Sequence, residues 1–507
     1  MKRALISVYD KSGIVDFARK LVDKGFEIVS TSGTAKLLTE NGIKIKTIEE
    51  LTKSPEVLNG RVKTLHPLVF AGILADKHND EHLKQVAQFG FELFDIVVVS
   101  LYPFSETIKK EGCTVPEAIE QIDIGGVSLI RAAAKNYGSV SVIVKPEQYN
   151  TYFDNIGKID NDFNLNLAAE AFEYISIYDK EISGYFQKLA GKQSDDEFNV
   201  HFVKGTTLRY GENPHQKAKL YSTETNGFDS IIEKLHGKEL SYINILDIDA
   251  SYQMINEFDE PACVIVKHTN PSGAACSENI LDAYKKAFAC DTVSPYGGII
   301  TVNRTLDLNT ATEIDKIFTE IIISPGYDED AFNFLLKKKN RRLIKYNPVD
   351  LSSQLNIKSV TGGLLVQDND MIVVNESEMK CVTERKPTVS EVRDLMFAMK
   401  IAKHTKSNSV VYAKNLQTVG IGGGQPSRVD SSRLAVQKAK RFGMDIEGSS
   451  VASDAFFPFA DGLIEAANAG AKSAIEPGGS VNDEEVIKAA NEHGLAMLFT
   501  GIRHFRH

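Results

Sequence analysis

The sequence has little cysteine and no paired arrangement of it. Its five cysteines are odd in number and form no Cys-x-x-Cys motif; they are Cys113, Cys263, Cys276, Cys290 and Cys381. This usage disfavours a disulfide framework, and we expect reduced cysteines in the core of a cytoplasmic protein. Neither His-Glu-x-x-His nor His-x-Glu with a partnering Pro-Cys-x-x-Cys occurs. We therefore predict no catalytic metal.

Long apolar runs and blocks of like charge are also missing. No apolar run approaches the roughly 18 residues that a membrane span requires. The short run 4–8 is interrupted by Asp10 and Lys11, which argues against a signal peptide. The formal net charge is −10, and charges of both signs are interspersed. We expect a soluble protein of roughly three domains with neither a membrane nor a nucleic-acid partner.

What the chain does contain is an α/β pattern in two units, with a predicted boundary near residue 197. In the first unit, β-rich runs alternate with helical patterns, which is typical of a mostly parallel sheet with helices on both faces. A long amphipathic helix is predicted near 167–189, and the polar segment 191–197 is a predicted linker. The predicted strands are 4–9, 26–31, 43–48, 69–74, 95–102 and 139–145.

The second unit, 198–507, again mixes strands and helices. Two sets of strands suggest two sub-domains, roughly 198–380 and 381–507. The predicted strands are 263–266, 298–302, 321–323, 363–366, 410–413, 419–421 and 497–500.

Three segments of the first unit are candidates for anion binding. The strand 26–31 runs into Ser32-Gly33-Thr34-Ala35-Lys36 and a helix, and a helix N-terminus after a small-residue turn suits phosphate. The turn 61–67 holds two cations, a hydroxyl and an imidazole. The helix predicted after Gly125-Gly126 carries Ser128, Arg131 and Lys135 on one face. The alternatives are a simple N-cap, a solvated turn and an ordinary surface helix.

In the second unit, the apolar run 262–266 delivers Lys267 and His268 onto a turn predicted at Asn270-Pro271-Ser272-Gly273. A lysine cation beside a histidine disfavours protonation of the imidazole and keeps it available as a base. The alternative is a loop histidine with a solvated lysine.

Three more segments of this unit are chemically suggestive. Residues 209–216 combine a cation, an aromatic ring and an imidazole, and 420–428 form a glycine-rich loop that ends in an arginine. The loop has Gly-x-Gly-x-Gly spacing with a proline, which differs from a dinucleotide fingerprint and better suits a generic anion loop. Residues 453–459 place three aromatic rings around a proline, for stacking or for the core.

Taken in order, these segments resemble a family of bifunctional purine biosynthesis enzymes. The family combines 5-aminoimidazole-4-carboxamide ribonucleotide (AICAR) formyltransferase with inosine monophosphate (IMP) cyclohydrolase. The resemblance covers essentially the whole chain, and its most specific pieces are 60–67, 121–136, 209–216, 267–273 and 453–459. It implies the last two steps of IMP synthesis: formyl transfer to AICAR, then dehydrative ring closure.

For the first unit, the resemblance implies a methylglyoxal-synthase-like, Rossmann-type domain that closes the purine ring. Lys135 would carry the proton transfer, with Lys63, Tyr102 and Asp123 near the reacting groups. The phosphate would bind to Asp10, Lys11, Ser32, Gly33, Thr34, Arg61 and Thr64. Ser32 stands where many family members have glycine.

For the second unit, the resemblance implies two cytidine-deaminase-like sub-domains without the zinc, with 10-formyl-tetrahydrofolate as cosubstrate. His268 would be the general base, and Lys267 would stabilise the developing charge. The nucleotide and folate would bind to Arg209, Tyr210, Gly297, Glu320, Asn408, Arg428, Phe456 and Arg503. Pro426 stands where some members have glutamine. A homodimer with transferase sites at its interface is implied as well.

Three other functions are alternatives to this one. A chain of the same family that retains only one activity is the leading alternative. A nucleotide-binding regulatory protein would keep the fold without the chemistry, although the ionisable residues are intact at both sites. A nicotinamide dehydrogenase would use the loop 420–424.

Overall fold

The computed structural model describes residues 2–192, 198, 200, 202–223, 227–352 and 354–507. The chain divides into two compact units, Met1–Asn199 and Val200–His507. Residues 193–197 of the predicted linker lie outside the described residues. None of the helices in the described part combines the length and the apolar character that crossing a bilayer requires.

The first unit is built on a five-stranded sheet. Strands β1 to β5 are Lys2–Val8, Phe26–Ser30, Ile45–Thr47, Ile96–Ser100 and Ser141–Ile143. Helices α1 to α10 are Ile14–Asp23, Ser32–Glu40, Ile48–Thr52, Pro67–Leu74, Asp80–Phe89, Phe104–Ile108, Val115–Glu120, Gly125–Lys135, Gln148–Asn155 and Asn161–Leu189. The strand order is β3-β2-β1-β4-β5, and every neighbouring pair is parallel.

Both faces of this sheet are buried, as the apolar strand sequences predict. Alternate residues such as Leu5 and Val97 pack into one core with α8 and α10. Their neighbours, such as Ile6 and Val98, pack into a second core with α1 on the opposite face. Because all strands are parallel, their carboxyl ends meet at one edge, where ligands of such sheets bind.

The predicted strand at 69–74 is wrong, because this segment is helix α4. Pro67 occupies the first turn, and the Nδ1 atom of His66 accepts a hydrogen bond from the backbone N–H of Leu68 at 3.2 Å. A short apolar run has no decisive periodicity, and here the capping residues decided the outcome. The other five strands are confirmed, and so are the helices after Gly125-Gly126 and at 167–189.

The second unit contains sixteen strands and nine helices among its described residues. Strands β6 to β21 are Val203–Thr207, Lys219–Ser222, Ile232–His236, Ala262–Lys267, Asn270–Cys276, Ile299–Val302, Ile321–Ser324, Arg342–Tyr346, Leu355–Val360, Gly363–Asp368, Lys380–Cys381, Val410–Lys414, Gln417–Gly422, Ser450–Ser453, Ser473–Glu476 and Ala496–Phe499. Helices α11 to α19 are Phe228–Ile231, Tyr242–Ile255, Ile280–Cys290, Leu308–Ile314, Glu329–Leu335, Val389–Lys403, Arg428–Arg441, Asp461–Asn468 and Asp483–Glu492.

Twelve of these strands form one mixed sheet. Its order is β16-β21-β20-β19-β17-β18-β10-β9-β11-β12-β13-β8. Strands β8 to β13 occupy one half and β16 to β21 the other, and the halves meet where Ala275 of β10 pairs with Gln417 of β18. All seven predicted strands of this unit are confirmed. The cytidine-deaminase-like character of two sub-domains stays a prediction.

Candidate active sites

The carboxyl edge of the first sheet brings together two of the predicted phosphate-binding segments. The hydroxyl of Thr34 donates to the carbonyl oxygen of Val8 at 3.0 Å. The Nζ atom of Lys11 donates to the Thr34 hydroxyl at 2.8 Å. These bonds hold the first turn of α2 against the end of β1, and burial lowers the pKa of Lys11. A cation and the start of a helix therefore lie side by side.

No side chain of the described residues caps the N-terminus of α2. The N-cap residue is Thr31, but its hydroxyl is hydrogen-bonded to the hydroxyl of Ser7 at 2.8 Å. Ser32 has a φ of 24°, in the left-handed region that a non-glycine residue rarely adopts. The positive end of the helix dipole and the backbone N–H groups of Ser32 and Gly33 can therefore bind an anion.

The loop that precedes α4 adds further charged groups to this edge. The Nζ atom of Lys63 lies 2.7 Å from Oε2 of Glu56, and the hydroxyl of Ser32 donates to the same oxygen at 3.1 Å. The hydrogen bond from Lys63 lowers the pKa of Glu56. Arg61 is exposed and paired with Glu120. Sequence reasoning did not single out Glu56, although it stands only five residues before Arg61.

The N-terminus of α8 lies beside the same loop. A Cβ atom on Gly125 would come within 2.8 Å of the hydroxyl oxygen of Thr64. This close approach shows why the position carries glycine and places Thr64, which is buried, next to the first turn of α8. Thr64 is thereby joined to the helix that Asp123 precedes.

Asp123 is held at the start of α8 with a raised pKa. Its Oδ1 atom accepts the backbone N–H of Gly126 at 2.6 Å. Burial raises the pKa of this carboxyl, and the hydrogen bonds from the amides of Gly126 and Tyr102 only partly oppose the effect. A carboxyl in this state can take up or release a proton closer to neutral pH than an exposed aspartate.

Tyrosines of α10 position this part of the edge. The hydroxyl of Tyr178 accepts the N–H of Asp123 at 2.8 Å and donates to the carbonyl oxygen of Gln121 at 2.9 Å. The hydroxyl of Tyr174 accepts the N–H of Leu101 at 3.1 Å. The helical pattern indicated that α10 is amphipathic, but it did not indicate that its tyrosines hold the loops of the site.

Lys135 lies elsewhere in this unit. It ends α8, ten residues after Gly125, which corresponds to about 15 Å along the helix axis. Its side chain and that of Arg131 line a cavity of about 620 Å³ whose walls include Phe172 and Leu74. The structure thus brings Lys63, Thr64 and Asp123 to one edge of the sheet but leaves Lys135 at the other end of α8.

In the second unit, His268 occupies a two-residue turn between β9 and β10. Lys267 pairs with Asn270, and His268 and Thr269 have φ values of 54° and 59°. Two left-handed residues define a type I′ hairpin turn, and φ values of this kind often mark functional positions. The turn predicted at 270–273 is wrong, since these residues belong to β10 and contain a register shift between Pro271 and Gly273.

A buried carboxylate from α12 supports this turn. The backbone N–H of Thr269 donates to Oδ1 of Asp247 at 2.6 Å. The pKa of Asp247 is raised, because the effect of burial exceeds the opposing effects of the hydrogen bonds from the turn amides and of the nearby His268. The exposed imidazole therefore stands beside an acidic group. Sequence reasoning missed Asp247, because one acidic residue in a helix carries no signal of its own.

Gly297 and Glu320 lie on the side of the turn that Lys267 faces. The Nζ atom of Lys267 donates to the carbonyl oxygen of Tyr296 at 2.7 Å. Gly297 has a φ of 73° and donates its N–H to the carbonyl of Phe318 at 2.8 Å. The carboxylate of Glu320 accepts from Arg342 at 2.9 Å.

Asn408 and its neighbours lie on the other side of the turn. The side-chain oxygen of Asn270 accepts the N–H of Lys406 at 3.0 Å. Two residues further along, the amide of Asn408 donates to the carbonyls of Gln425 and Pro426 at 2.9 and 3.0 Å. Asn270 thus connects the His268 turn to the glycine-rich loop.

Arg428 begins α17 and organises the aromatic segment. Its guanidinium lies 2.8 Å from the buried carboxylate of Asp454 and donates to the carbonyl of Phe456 at 3.0 Å. Among the described residues its buried Nε atom has no hydrogen-bond partner. Asp454 also accepts the N–H of Ser409 at 3.1 Å. Arg428 therefore holds the Phe456 loop in place, and its Nε–H group remains as a hydrogen-bond donor that no described residue uses.

The remaining predicted residues stack on their neighbours. The guanidinium of Arg209 lies 5.2 Å from the centre of the Tyr210 ring, and that of Arg503 lies 4.4 Å from the centre of the Phe505 ring. The N–H of His504 donates to the carbonyl of Asp454 at 2.9 Å, so the Arg503 segment reaches the Arg428 cluster. The hydrogen bonds and ring contacts of the described residues join neither Arg209 nor Tyr210 to the His268 turn.

A buried glutamate lies behind the aromatic segment. Glu476, at the end of β20, is fully buried, and its carboxyl accepts the N–H of Phe457 at 2.6 Å. Its second oxygen has no hydrogen-bond partner in the described part of the chain. Burial raises its pKa to about 8. The folded protein therefore holds this carboxyl in its neutral form below that pH.

Replacing this glutamate should change the dependence of stability on pH. The folded-state pKa lies above the ordinary value of 4.5, so stability is lost as pH rises from 4.5 through about 8. Glu476→Gln keeps a neutral acceptor for Phe457, and we expect it to raise the melting temperature by about 2–6 °C at pH 8 with little change at pH 5. Thermal unfolding followed by circular dichroism measures this. Equal shifts at both pH values, or a shift for the exposed Glu492→Gln, would contradict the assignment.

Comparison with known proteins covers both units. The family model described as AICARFT/IMPCHase bienzyme matches residues 133–438, and the model described as MGS-like domain matches residues 13–128. In the described part of the chain, no group of three or more His, Cys, Asp or Glu side chains is arranged to hold a metal ion.

Full-length relatives agree with these family models. The chain is 49% identical over 520 residues to the bifunctional purine biosynthesis protein PurH of Chlorobium phaeobacteroides, covering 100% of the chain and 99% of the relative. It is 50% identical over 518 residues to PurH of Chlorobaculum parvum, with the same coverage. It is 49% identical over 516 residues to PurH of Persephonella marina, with both chains covered completely. The chain therefore belongs to the AICARFT/IMPCHase bienzyme family.

Proposed function

We propose that this chain catalyses the last two steps of IMP synthesis: formyl transfer from 10-formyl-tetrahydrofolate to AICAR, then ring closure of formyl-AICAR to IMP. Membership of a bifunctional formyltransferase and cyclohydrolase family supports both activities. The observation that carries the proposal is that each unit holds its own cluster of cationic and proton-transferring side chains, at Lys63 and Asp123 in one and at Lys267 and His268 in the other.

In the second unit, His268 acts as the general base of formyl transfer. The aromatic amine of AICAR attacks the formyl carbon, the new C–N bond forms, and the bond from that carbon to N10 of the folate breaks. The proton leaves the amine for the imidazole and is returned to the leaving nitrogen. Lys267, which the carbonyl of Tyr296 orients, stabilises the negative charge that develops on the formyl oxygen.

The groups around this turn bind the two substrates. Asn408, Arg428 and Phe456 belong to one hydrogen-bonded loop cluster beside the turn, which supports their role in holding nucleotide and folate. Gly297 and Glu320 adjoin the opposite side, and Arg503 is connected through His504. Because no hydrogen bond or ring contact of the described residues joins Arg209 or Tyr210 to the turn, we propose that a second copy supplies them across a homodimer interface.

In the first unit, the carboxyl edge of the sheet binds formyl-AICAR by its phosphate. Phosphate suits the uncapped N-terminus of α2 together with nearby cations. The groups that we assign to phosphate are Asp10, Lys11, Ser32, Gly33, Thr34, Arg61 and Thr64. A carboxylate repels phosphate, so the assignment of Asp10 is supported by the resemblance alone.

Ring closure needs one proton to leave each of two nitrogen atoms and the formyl oxygen to leave as water. The carboxamide nitrogen attacks the formyl carbon and loses one proton as the new C–N bond forms. The formyl oxygen takes up two protons and leaves as water when its C–O bond breaks, and the formamide nitrogen loses the second proton as its bond to that carbon becomes C=N. The raised pKa of Asp123 supports its role as the proton carrier, with Lys63 and Tyr102 beside the reacting groups. Lys135 is retained as a proton-transfer residue on resemblance alone. We further propose that the enzyme works in the cytoplasm without a catalytic metal.

Incubation of the purified chain with AICAR and 10-formyl-tetrahydrofolate tests the function as a whole. We expect tetrahydrofolate and IMP as final products, with formyl-AICAR as a transient intermediate, identified by liquid chromatography and mass spectrometry. Formyl-AICAR as the end product would show that only the transferase is active. No consumption of AICAR, combined with IMP formation from supplied formyl-AICAR, would show that only the cyclohydrolase is active. The absence of both reactions would contradict the proposal.

A further inference from the structure

A carboxylate of the chain itself occupies part of the first unit's anion site. The Oε2 atom of Glu56 lies 2.7 Å from Nζ of Lys63 and accepts the hydroxyl of Ser32 at 3.1 Å. Lys63 also donates to the Ser32 hydroxyl. One carboxylate oxygen therefore receives two of the donors that adjoin the N-terminus of α2.

The loop around Glu56 is shaped to allow this contact. Gly60 has a φ of 92°, and a Cβ atom on it would lie 2.7 Å from Oε1 of Glu56. A backbone bridge between Val57 and Val62 closes the loop, with the N–H of Val57 donating to the carbonyl of Val62 at 3.2 Å. The side chain of Glu56 is 38% exposed, whereas that of Lys63 is 16% exposed. Glu56 is thus the more solvent-exposed partner of this ion pair.

Glu56 and a phosphate at the N-terminus of α2 compete for the hydroxyl of Ser32. Both present anionic oxygens that accept hydrogen bonds from a hydroxyl and an ammonium group. Two anions within a few ångströms repel each other, so a carboxylate and a phosphate that both contact Ser32 do so at a cost in free energy. A phosphate monoester carries a charge of about −1.5 to −2 and three acceptor oxygens, whereas a carboxylate carries a single charge.

We propose that Glu56 is a displaceable placeholder: its carboxylate holds Ser32 and Lys63 while no nucleotide is bound, and the phosphate of the nucleotide displaces it from Ser32 and so frees Lys63 for the reacting groups. This inference rests on the proposed cyclohydrolase function of the first unit. Displacing the carboxylate costs free energy and so weakens the binding of every anion. A phosphate, with its larger charge, still binds, whereas singly charged ligands do not displace the carboxylate. Glu56 is therefore a specificity-determining residue that lies outside the reacting groups.

Substitution of Glu56 tests the placeholder directly. Glu56→Gln preserves the size of the side chain and an acceptor for Ser32 but removes the charge. We expect IMP and inorganic phosphate to bind about three- to tenfold more tightly to this variant, as isothermal titration calorimetry at constant ionic strength measures. The KM for formyl-AICAR should fall by the same factor, and kcat should stay unchanged. Glu56→Ala should act in the same direction.

Glu40→Gln is the matched control, because it removes one negative charge from the opposite end of α2, where Glu40 lies 3.9 Å from Lys36 and has no other ion pair among the described residues. It should leave binding and KM unchanged. Unchanged binding in the Glu56 variants would overturn the placeholder. A fall in kcat without a change in KM would also overturn it and make Glu56 a positioning residue for Lys63. Failure of the proposed function is a separate result, since then the wild type would not convert formyl-AICAR at all.

Discussion

His268→Asn should reduce formyl transfer about a hundred- to ten-thousandfold and leave ring closure unchanged. Asparagine tolerates the left-handed backbone that this position requires, so the turn keeps its shape while the imidazole base is lost. Folate release is followed by the absorbance of tetrahydrofolate, and ring closure is followed by IMP formation from supplied formyl-AICAR. The two assays on one preparation separate loss of a base from loss of folding.

Exposed His493, at the C-cap of α19, offers a matched control. His493→Ala removes an imidazole from the same unit and should retain both activities. His268→Ala should lose formyl transfer to the same extent as His268→Asn, apart from the strain of alanine in the left-handed region. Normal formyl transfer in a folded His268→Asn variant would refute the role of His268 as base. Loss of both reactions in that variant would refute the independence of the two sites.

Asp123→Asn should produce the opposite pattern, with ring closure reduced about a hundred- to ten-thousandfold and formyl transfer retained. The asparagine oxygen can still accept the N–H of Gly126, which Asp123 accepts at 2.6 Å, so α8 keeps its start. The amide has no acidic proton to exchange, so proton transfer is lost. Accumulation of formyl-AICAR from AICAR and 10-formyl-tetrahydrofolate, measured by chromatography, gives the result directly.

Asp23→Asn is the control for this variant, because Asp23 ends α1 as an exposed residue of the same unit. It should leave ring closure unchanged. Lys135→Ala is measured in parallel, and from the resemblance we expect it to accumulate formyl-AICAR too. Ring closure could be normal in Lys135→Ala and lost in Asp123→Asn. That result would exclude Lys135 from the mechanism and leave the carboxyl edge of the sheet as the whole site.

The sequence predicted most of the fold because the first sheet is parallel and buried on both faces. Strands of such a sheet are continuous apolar runs, and these are visible without any knowledge of tertiary contacts. The same property explains the error at α4, whose apolar residues resemble a buried strand and whose identity depends on the caps at His66 and Pro67. At 270–273, the residues Asn-Pro-Ser-Gly indicated a turn, but pairing with β9 placed the turn at His268 and Thr269.

The candidate sites were predictable wherever several unusual residues are neighbours in the chain. Lys267 and His268, or Arg61 and Lys63, stand out for this reason. Glu56, Asp247 and Asp454 do not, because each is a single acidic residue whose partner lies in another segment. Asp247 stands 22 positions from Thr269, and Asp454 stands 26 positions from Arg428. Contacts over such separations are formed by the folded chain and leave no local pattern.

The motifs of the sequence identified the family by resemblance, whereas periodicity and local composition predicted the parallel sheet of the first unit and the candidate reactive pairs of both units. Only the tertiary structure decided which of those groups meet. It brought Ser32, Lys63 and Glu56 together at the ends of parallel strands, and it left Lys135 at the far end of α8. The physical reason is that a helix or strand holds its own residues at regular spacings, whereas the distance between residues of different elements depends on how those elements pack.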